Sequence, residues 1–168
     1  MDSTIGEFYA AAAADGPAVG VITGESSTAG TDAAVRRIDG RAAADLPGLY
    51  TAVAQAWDFP DHFGRNKDAF DDCLLDLDPR LFTATGTPAT GYLTVVENAH
   101  ALLAEAADAD FDWFAGSIGY YRDDYRDRRP AGDRRGFAVL LVTDPAHRSE
   151  VTARWAAAGV PVSVLEVS

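Results

Sequence analysis

Three aspartates, Asp68, Asp72 and Asp76, recur every fourth residue within the stretch FPDHFGRNKDAFDDCLLDL from Phe59 to Leu77. On a helix this spacing stacks their carboxylates along one face, while Phe70, Cys73, Leu74 and Leu77 fall at helical offsets on the other. Like charges four apart each cost roughly 0.2–0.5 kcal/mol, and aspartate is a poor helix former. Asp68 suits the positive end of the helix dipole, whereas Asp76 opposes the negative end. A segment that gives up stability in this way is where a function should be sought. Two chemistries fit carboxylates held on a helix: charge-assisted pairing with arginines that otherwise hold phosphates, or ligation of a hard cation such as Mg²⁺ or Mn²⁺. The cation reading is the weaker, because all three lie on one helix and no second ligand set accompanies them.

Other chemistry-bearing residues give no catalytic constellation. Cys73 falls on the apolar face with no base placed beside it, so it reads as a core residue and not a nucleophile. His100 and His147 have no partner at metal-ligand spacing and read as surface residues. His62 sits on the turn before the acidic helix, either as a contact or as ordinary surface. Asp108, Asp110 and Asp112 form a D-x-D-x-D string, but Trp113 and Gly119 stand where a calcium loop needs glycine and an acid. Tyr120, Tyr121 and Tyr125, interleaved with Arg122, Asp123, Asp124 and Arg126, offer a second interface patch, though a solvated charged helix end or loop is the favoured reading. Gly20 and Gly24 lack the lysine and helix of a phosphate loop. The expectation is a non-enzyme with no cofactor and no metal.

Composition narrows the partners. The 168 residues carry 26 acids, 20 of them aspartate, against 13 arginines and the single lysine Lys67, for a net charge of −12. Genome or habitat bias accounts for such a total. It does not account for the seven aspartates between Asp58 and Asp78, offset only by Arg65 and Lys67. A chain of this charge is repelled by free nucleic acid and anionic membranes and drawn to basic partners. One cysteine excludes an internal disulfide, which fits a reducing cytosol. The N-terminus lacks the basic and long apolar regions of a signal peptide, and no apolar run approaches a membrane span. The expected location is cytoplasmic.

The elements that position the acidic face follow from periodicity and turn chemistry. A short helix is expected over Phe8–Ala14 and strands over Ala18–Thr23 and Ala34–Ile38, with a flexible Gly24–Asp32 stretch between the strands. Residues 1–34 read as an N-terminal extension, flexible in part. Leu46, Leu49, Tyr50, Val53, Ala54 and Trp57 share one side of a helix. Gly64 breaks the chain, Asn66 caps the acidic helix, and Asp78-Pro79 ends it. A strand over Tyr92–Val96 precedes a helix over Ala99–Ala107. The segment Asp108–Arg135 reads as a charged insert, starting as helix and ending as a long loop. Phe137–Val142 (FAVLLV) is a buried strand, His147–Ala158 a helix, and Val160–Val167 a last strand. Strands alternating with helices give an α/β fold with a mainly parallel sheet.

With these residues in place, Phe59–Leu74 resembles the signature region of the barstar-like family, intracellular inhibitors of barnase-type ribonucleases. The shared features are the apolar residue before Pro60, then Phe63-Gly64, Asn66, Asp68-Ala69, Phe70 and Asp72-Cys73-Leu74. VRRIDGRAAADLPGLYTAVAQAWDFP resembles the family's first strand and helix, and YLTVVENAHAL its second strand and the start of the next helix. The likeness covers residues 35 to about 103 and implies helices packed on a small parallel sheet, extended here by extra C-terminal elements. Residues 35–168 would then form the barstar-like domain. The resemblance also implies that Asp68, Asp72 and the loop before them plug a ribonuclease active site, Asp72 standing in for a substrate phosphate. His62 takes the place of the family's contact tyrosine and Phe63 that of the next aromatic. Gly64, Asn66 and Asp76 complete the expected contact set. Asp71 replaces a tryptophan and marks where this chain would retune its partner. The family's acidic residue on a later helix has no counterpart within the matching region. The implied function is one-to-one inhibition of a basic ribonuclease or RNase toxin by a protein that is monomeric when free. The alternative is a barstar-fold adaptor working through residues 108–135 with no ribonuclease target.

Overall fold

A computed structural model describes residues 4–24 and 27–166. Five strands form one parallel sheet: β1 (Val19–Thr23), β2 (Ala33–Asp39), β3 (Gly91–Glu97), β4 (Gly136–Thr143) and β5 (Val162–Val164), in the order β2-β3-β4-β1-β5. The helices are α1 (Thr4–Ala12), α2 (Leu46–Ala56), α3 (Lys67–Leu74), α4 (Asp108–Asp127) and α5 (Arg148–Ala157). The fold is α/β, as the alternating elements predict.

Alternation along the strands sorts the core into two faces. Ala34, Ile38, Tyr92, Val96, Phe137, Val139, Leu141, Val19 and Val21 share one cluster with the buried residues of α2, α3, α4 and α5. Ala33, Leu93, Val95, Ala138, Leu140, Val142 and Ile22 face the other way, against Ile5, Phe8, Tyr9 and Ala12 of α1. Burial on both faces is why β4 is a continuous apolar run; a strand with one wet face would alternate.

The described residues 4–24 pack against the rest of the chain. Among them, α1 covers one face of the sheet and β1 lies in its interior, paired in register with β4 (Val19–Thr23 with Val139–Thr143) and with β5. Tyr9 fastens α1 to the start of β3 and β4. Gly91 and Gly136 are register partners, and a Cβ on either would stand 2.5 Å from the Tyr9 hydroxyl oxygen. That hydroxyl shares a 3.0 Å hydrogen bond with Thr90 Oγ1. Burial pushes the Tyr9 phenol up to about 12. Of the stretch expected to be flexible, Glu25 and Ser26 lie outside the described residues.

Two expectations of local structure need correction. The helix expected over Ala99–Ala107 is a single 3-10 turn, Ala99–Ala101. Beyond it, the Leu103 and Glu105 amides donate to the Ala43 and Ala44 carbonyls (2.8 Å each), and Arg154 of α5 donates to the Leu102 and Leu103 carbonyls. These ties, with Leu103 at φ +53°, overrule alanine's helix propensity. The Asp108–Arg135 segment is a 20-residue helix followed by a short connection. Its apolar stripe of Phe111, Phe114, Ala115, Ile118, Tyr121 and Tyr125 is buried in the main core.

Candidate functional site

The acidic helix α3 is fixed at both ends and along its inner face. At its start, Asn66 adopts an extended backbone and its Oδ1 accepts the Ala69 N–H at 2.8 Å, capping one of the free amides. The preceding residue, Arg65, has φ +52° and reaches back to α2, donating to the Pro47 carbonyl (3.1 Å) and Thr51 Oγ1 (3.0 Å). Phe63 is half-buried edge-on to Tyr50 and Phe59, and Phe59 packs edge-on to Phe70. Phe70 is fully buried and also meets Trp113 and Phe114 of α4. The loop before the helix is therefore held on an aromatic cluster, while His62 and Gly64 stay exposed on it.

At the other end α3 stops at Leu74, one turn short of the expected Asp78. The carbonyls that a longer helix would use internally go to side chains. Tyr125 donates to the Leu74 carbonyl (2.7 Å) and accepts the Leu77 N–H (3.1 Å), and the Tyr92 hydroxyl reaches the Leu77 and Asp78 carbonyls at 3.0 Å each. Arg129 donates to the Leu75 carbonyl and to Asp124 Oδ2, its guanidinium 4.0 Å from the Tyr125 ring centre. A cation at a helix C-terminus also suits the dipole. Burial raises the Tyr125 phenol, and it lifts Tyr92 to about 12, so both stay protonated donors at neutral pH.

The four aspartates of this region end in different environments. Asp68 and Asp72 project from α3 into solvent with no ion pair or hydrogen bond among the described residues. Asp76 is equally exposed and unpaired, but lies in the turn after the helix; the three-aspartate helical stack reduces to two. Asp71 is half-buried and accepts a hydrogen bond from Tyr121 of α4. Burial raises its carboxyl, with Asp68 and Asp72 adding to the rise against the Tyr121 bond. Asp71 thus serves the α3–α4 contact, and its carboxylate is not displayed like those of its neighbours. Lys67 at the first turn pairs with Asp110 of α4 (2.8 Å) and lies 5.3 Å from the Trp113 ring centre, so the one lysine does not neutralise Asp68 or Asp72.

An open groove of about 500 Å³ runs beside α3, with Trp57, Phe59, His62, Asp72, Asp76 and Arg80 among its walls. Periodicity marks Trp57 as core, and it is, with its indole N–H on Thr94 Oγ1 at 2.9 Å; the groove is not visible from sequence. Cys73 is half-buried and its thiol is raised by burial and the nearby Asp72 and Asp76, which favours the protonated form. His100 and His147, remote in sequence, stack with ring centres 3.9 Å apart, and Asp144 meets His147 Nδ1 at 2.6 Å. No group of three or more His, Cys, Asp or Glu side chains suited to a metal occurs among the described residues. No described helix is long and apolar enough to cross a membrane.

Of the expected contact residues, then, the fold gathers His62, Gly64, Asn66, Asp68 and Asp72 on one exposed surface, with Asp76 on the groove wall and Phe63 and Asp71 turned partly inward. Among the described residues this surface holds no nucleophile–base pair; it presents fixed anionic charge.

The family model described as "Barstar (barnase inhibitor)" matches residues 33–141, a span that begins with β2 and ends within β4. No curated protein matches the chain. Among solved structures, the crystal structure of Cdc6p from Pyrobaculum aerophilum aligns with a TM-score of 0.53 and 12% identity, covering 97% of this chain and 43% of that one. The chain thus spans less than half the length of that protein, and at this identity the likeness is one of fold alone.

Proposed function

The chain belongs to the barstar family, and on that premise we propose that it is a protein inhibitor of a basic ribonuclease, a barnase-type enzyme or RNase toxin. It binds one-to-one and covers the active site with α3 and the loop before it. The observation that carries this reading is the pair Asp68 and Asp72, exposed and without partners among the described residues, on a helix whose two ends and inner face are all fastened. A ribonuclease cleft is built to hold phosphates, so its arginines and lysines are the complement of such carboxylates. Because the helix is rigid before binding, little ordering entropy is lost on association. The net charge of −12 steers the encounter.

In this reading Asp72 occupies the phosphate position at the centre of the contact, Asp68 flanks it, and His62 and Gly64 shape the adjoining loop. The adaptor alternative draws little support from residues 108–135: Tyr121 and Tyr125 are buried, and of the three tyrosines there only Tyr120 is exposed. The test is inhibition and calorimetric binding with a barnase-type ribonuclease and with any small basic RNase encoded beside this chain. Asp72→Ala should lose several kcal/mol of binding, as a central charged anchor does, and Asp68→Ala less. The barnase–barstar pair is itself one of the systems in which losses of this order are known. Equal affinity of Asp72→Ala and the parent for a ribonuclease that the parent inhibits would show that the anchor lies elsewhere.

A further inference from the structure

We infer that the groove beside α3, which Asp72 and His62 border, takes a second arginine side chain of the partner, with Asp76 as its carboxylate. The volume, about 500 Å³, lies in the range that accommodates a small ligand or a large side chain. Half-buried Phe59 and Leu81, over buried Trp57 and Leu77, give it an apolar wall against which a methylene stem and a planar guanidinium can lie. Four carboxylates line it against two guanidiniums, so its charge favours a cation.

The engagement of those charges sharpens the choice. Arg80 is paired with Asp78 at 3.3 Å. Arg36 donates to the Val35 carbonyl and rests 5.3 Å from the Trp57 ring centre, which leaves Phe59 as the aromatic side open to an incoming group. Asp58, Asp72 and Asp76 have no hydrogen bond or ion pair from their side chains among the described residues, and Asp72 is the one assigned to the central contact. Asp76 stands beyond the end of α3, displaced from the helical face that carries Asp68 and Asp72. A carboxylate beside an aromatic wall favours arginine over lysine, because a guanidinium can stack and pair at once while an ammonium acts as a point charge. The subsite takes its partner from the inhibitor reading above: a basic protein whose cleft meets Asp72 would place a second arginine, outside that cleft, in the groove.

The test needs no ribonuclease. The ¹⁵N-labelled full chain is titrated with N-acetyl-L-arginine amide and, separately, with its uncharged isostere N-acetyl-L-citrulline amide. The arginine derivative should shift the Trp57 indole N–H and the amides of residues 76–81 saturably, and the citrulline derivative should not. Asp76→Asn should weaken the titration about tenfold, the order of one charge-assisted pair. Asp61→Asn, an equal charge change outside the groove, should leave it unchanged. Equal shifts from the two derivatives, or equal effects of the two substitutions, would overturn the subsite and reduce the binding to general attraction. The titration contains no ribonuclease, so its failure leaves the inhibition result for Asp72 standing, and a failure of that inhibition leaves the titration standing.

Discussion

Tyr121 donates its hydroxyl hydrogen to the carboxylate of Asp71 across the α3–α4 contact, 50 residues apart in the chain. One side of the acidic helix is thereby committed to the fold while Asp68 and Asp72 remain outside it. Removing the donor with Tyr121→Phe leaves a half-buried carboxylate unpaired and should cost about 1–3 kcal/mol. Urea unfolding of the two proteins at neutral pH measures it.

The same contact sets a pH dependence. The Asp71 carboxyl is raised in the folded chain, chiefly by burial. The folded state therefore binds more protons than the unfolded chain between the ordinary aspartate value and the raised one. Its contribution to stability is present at lower pH and is lost as pH rises through the raised value. Asp71→Asn keeps an acceptor for Tyr121 and removes the titration. Its stability relative to the parent should rise across that window and level off above it; paired urea melts from mildly acid to neutral pH report the difference.

Asp72 should separate binding from folding. It has no side-chain partner among the described residues, and Asp68 stands one helical turn away with like charge. Asp72→Ala should shift stability by no more than about 0.5 kcal/mol, or raise it slightly, while abolishing tight ribonuclease binding. A thermal melt beside the binding isotherm distinguishes this from a variant that simply unfolds.

At the far end of α3, Arg129→Ala should loosen the turn that carries Leu75 to Leu77. Amide hydrogen exchange at Leu75, Asp76 and Leu77 should quicken, while the interior of β4 keeps its protection. Equal acceleration throughout would mean that Arg129 acts on global stability and not on this turn.

Gly136→Ala places a methyl group 2.5 Å from the Tyr9 hydroxyl oxygen. Overpacking of this kind costs typically about 1–3 kcal/mol. Tyr9→Phe removes the nearest atom but keeps ring carbons at 2.8 and 3.0 Å and forfeits the bond to Thr90, so it should recover only a small part of the loss in a double-mutant cycle.

How far each element is legible in the sequence depends on what causes it. β4 is plain because both of its faces are buried and every residue is apolar or small. The start of α3 is plain because Asn66 is a local cap. Its end is not, since Tyr92, Tyr125 and Arg129, distant in sequence, take the carbonyls. The turn after Ala101 departs from its local pattern for a similar reason: hydrogen bonds from Arg154 and to Ala43 and Ala44 outweigh alanine propensity. The long helix α4 carries a readable signal, apolar residues at positions 111, 114, 115, 118, 121 and 125, which dense charge between them obscures. In the site, exposed charge on α3 is readable from spacing and resemblance. The burial of Asp71, the departure of Asp76 from the helix and the groove depend on tertiary placement that no local pattern carries.

The position of β1 has a consequence for how the molecule is made. Its partner β4 lies more than a hundred residues further along the chain, and β5 later still. As synthesis proceeds from the N-terminus, β2, β3 and β4 can assemble in order, while the first strand waits for a neighbour not yet translated. Until β1 docks, β4 presents an unpaired apolar edge, the kind of surface on which nascent chains stick to one another. Closing that edge requires long-range pairing, which is slow. The helix that carries Asp68 and Asp72 belongs to the part that can form first, so a nascent chain can display both carboxylates before its sheet is complete.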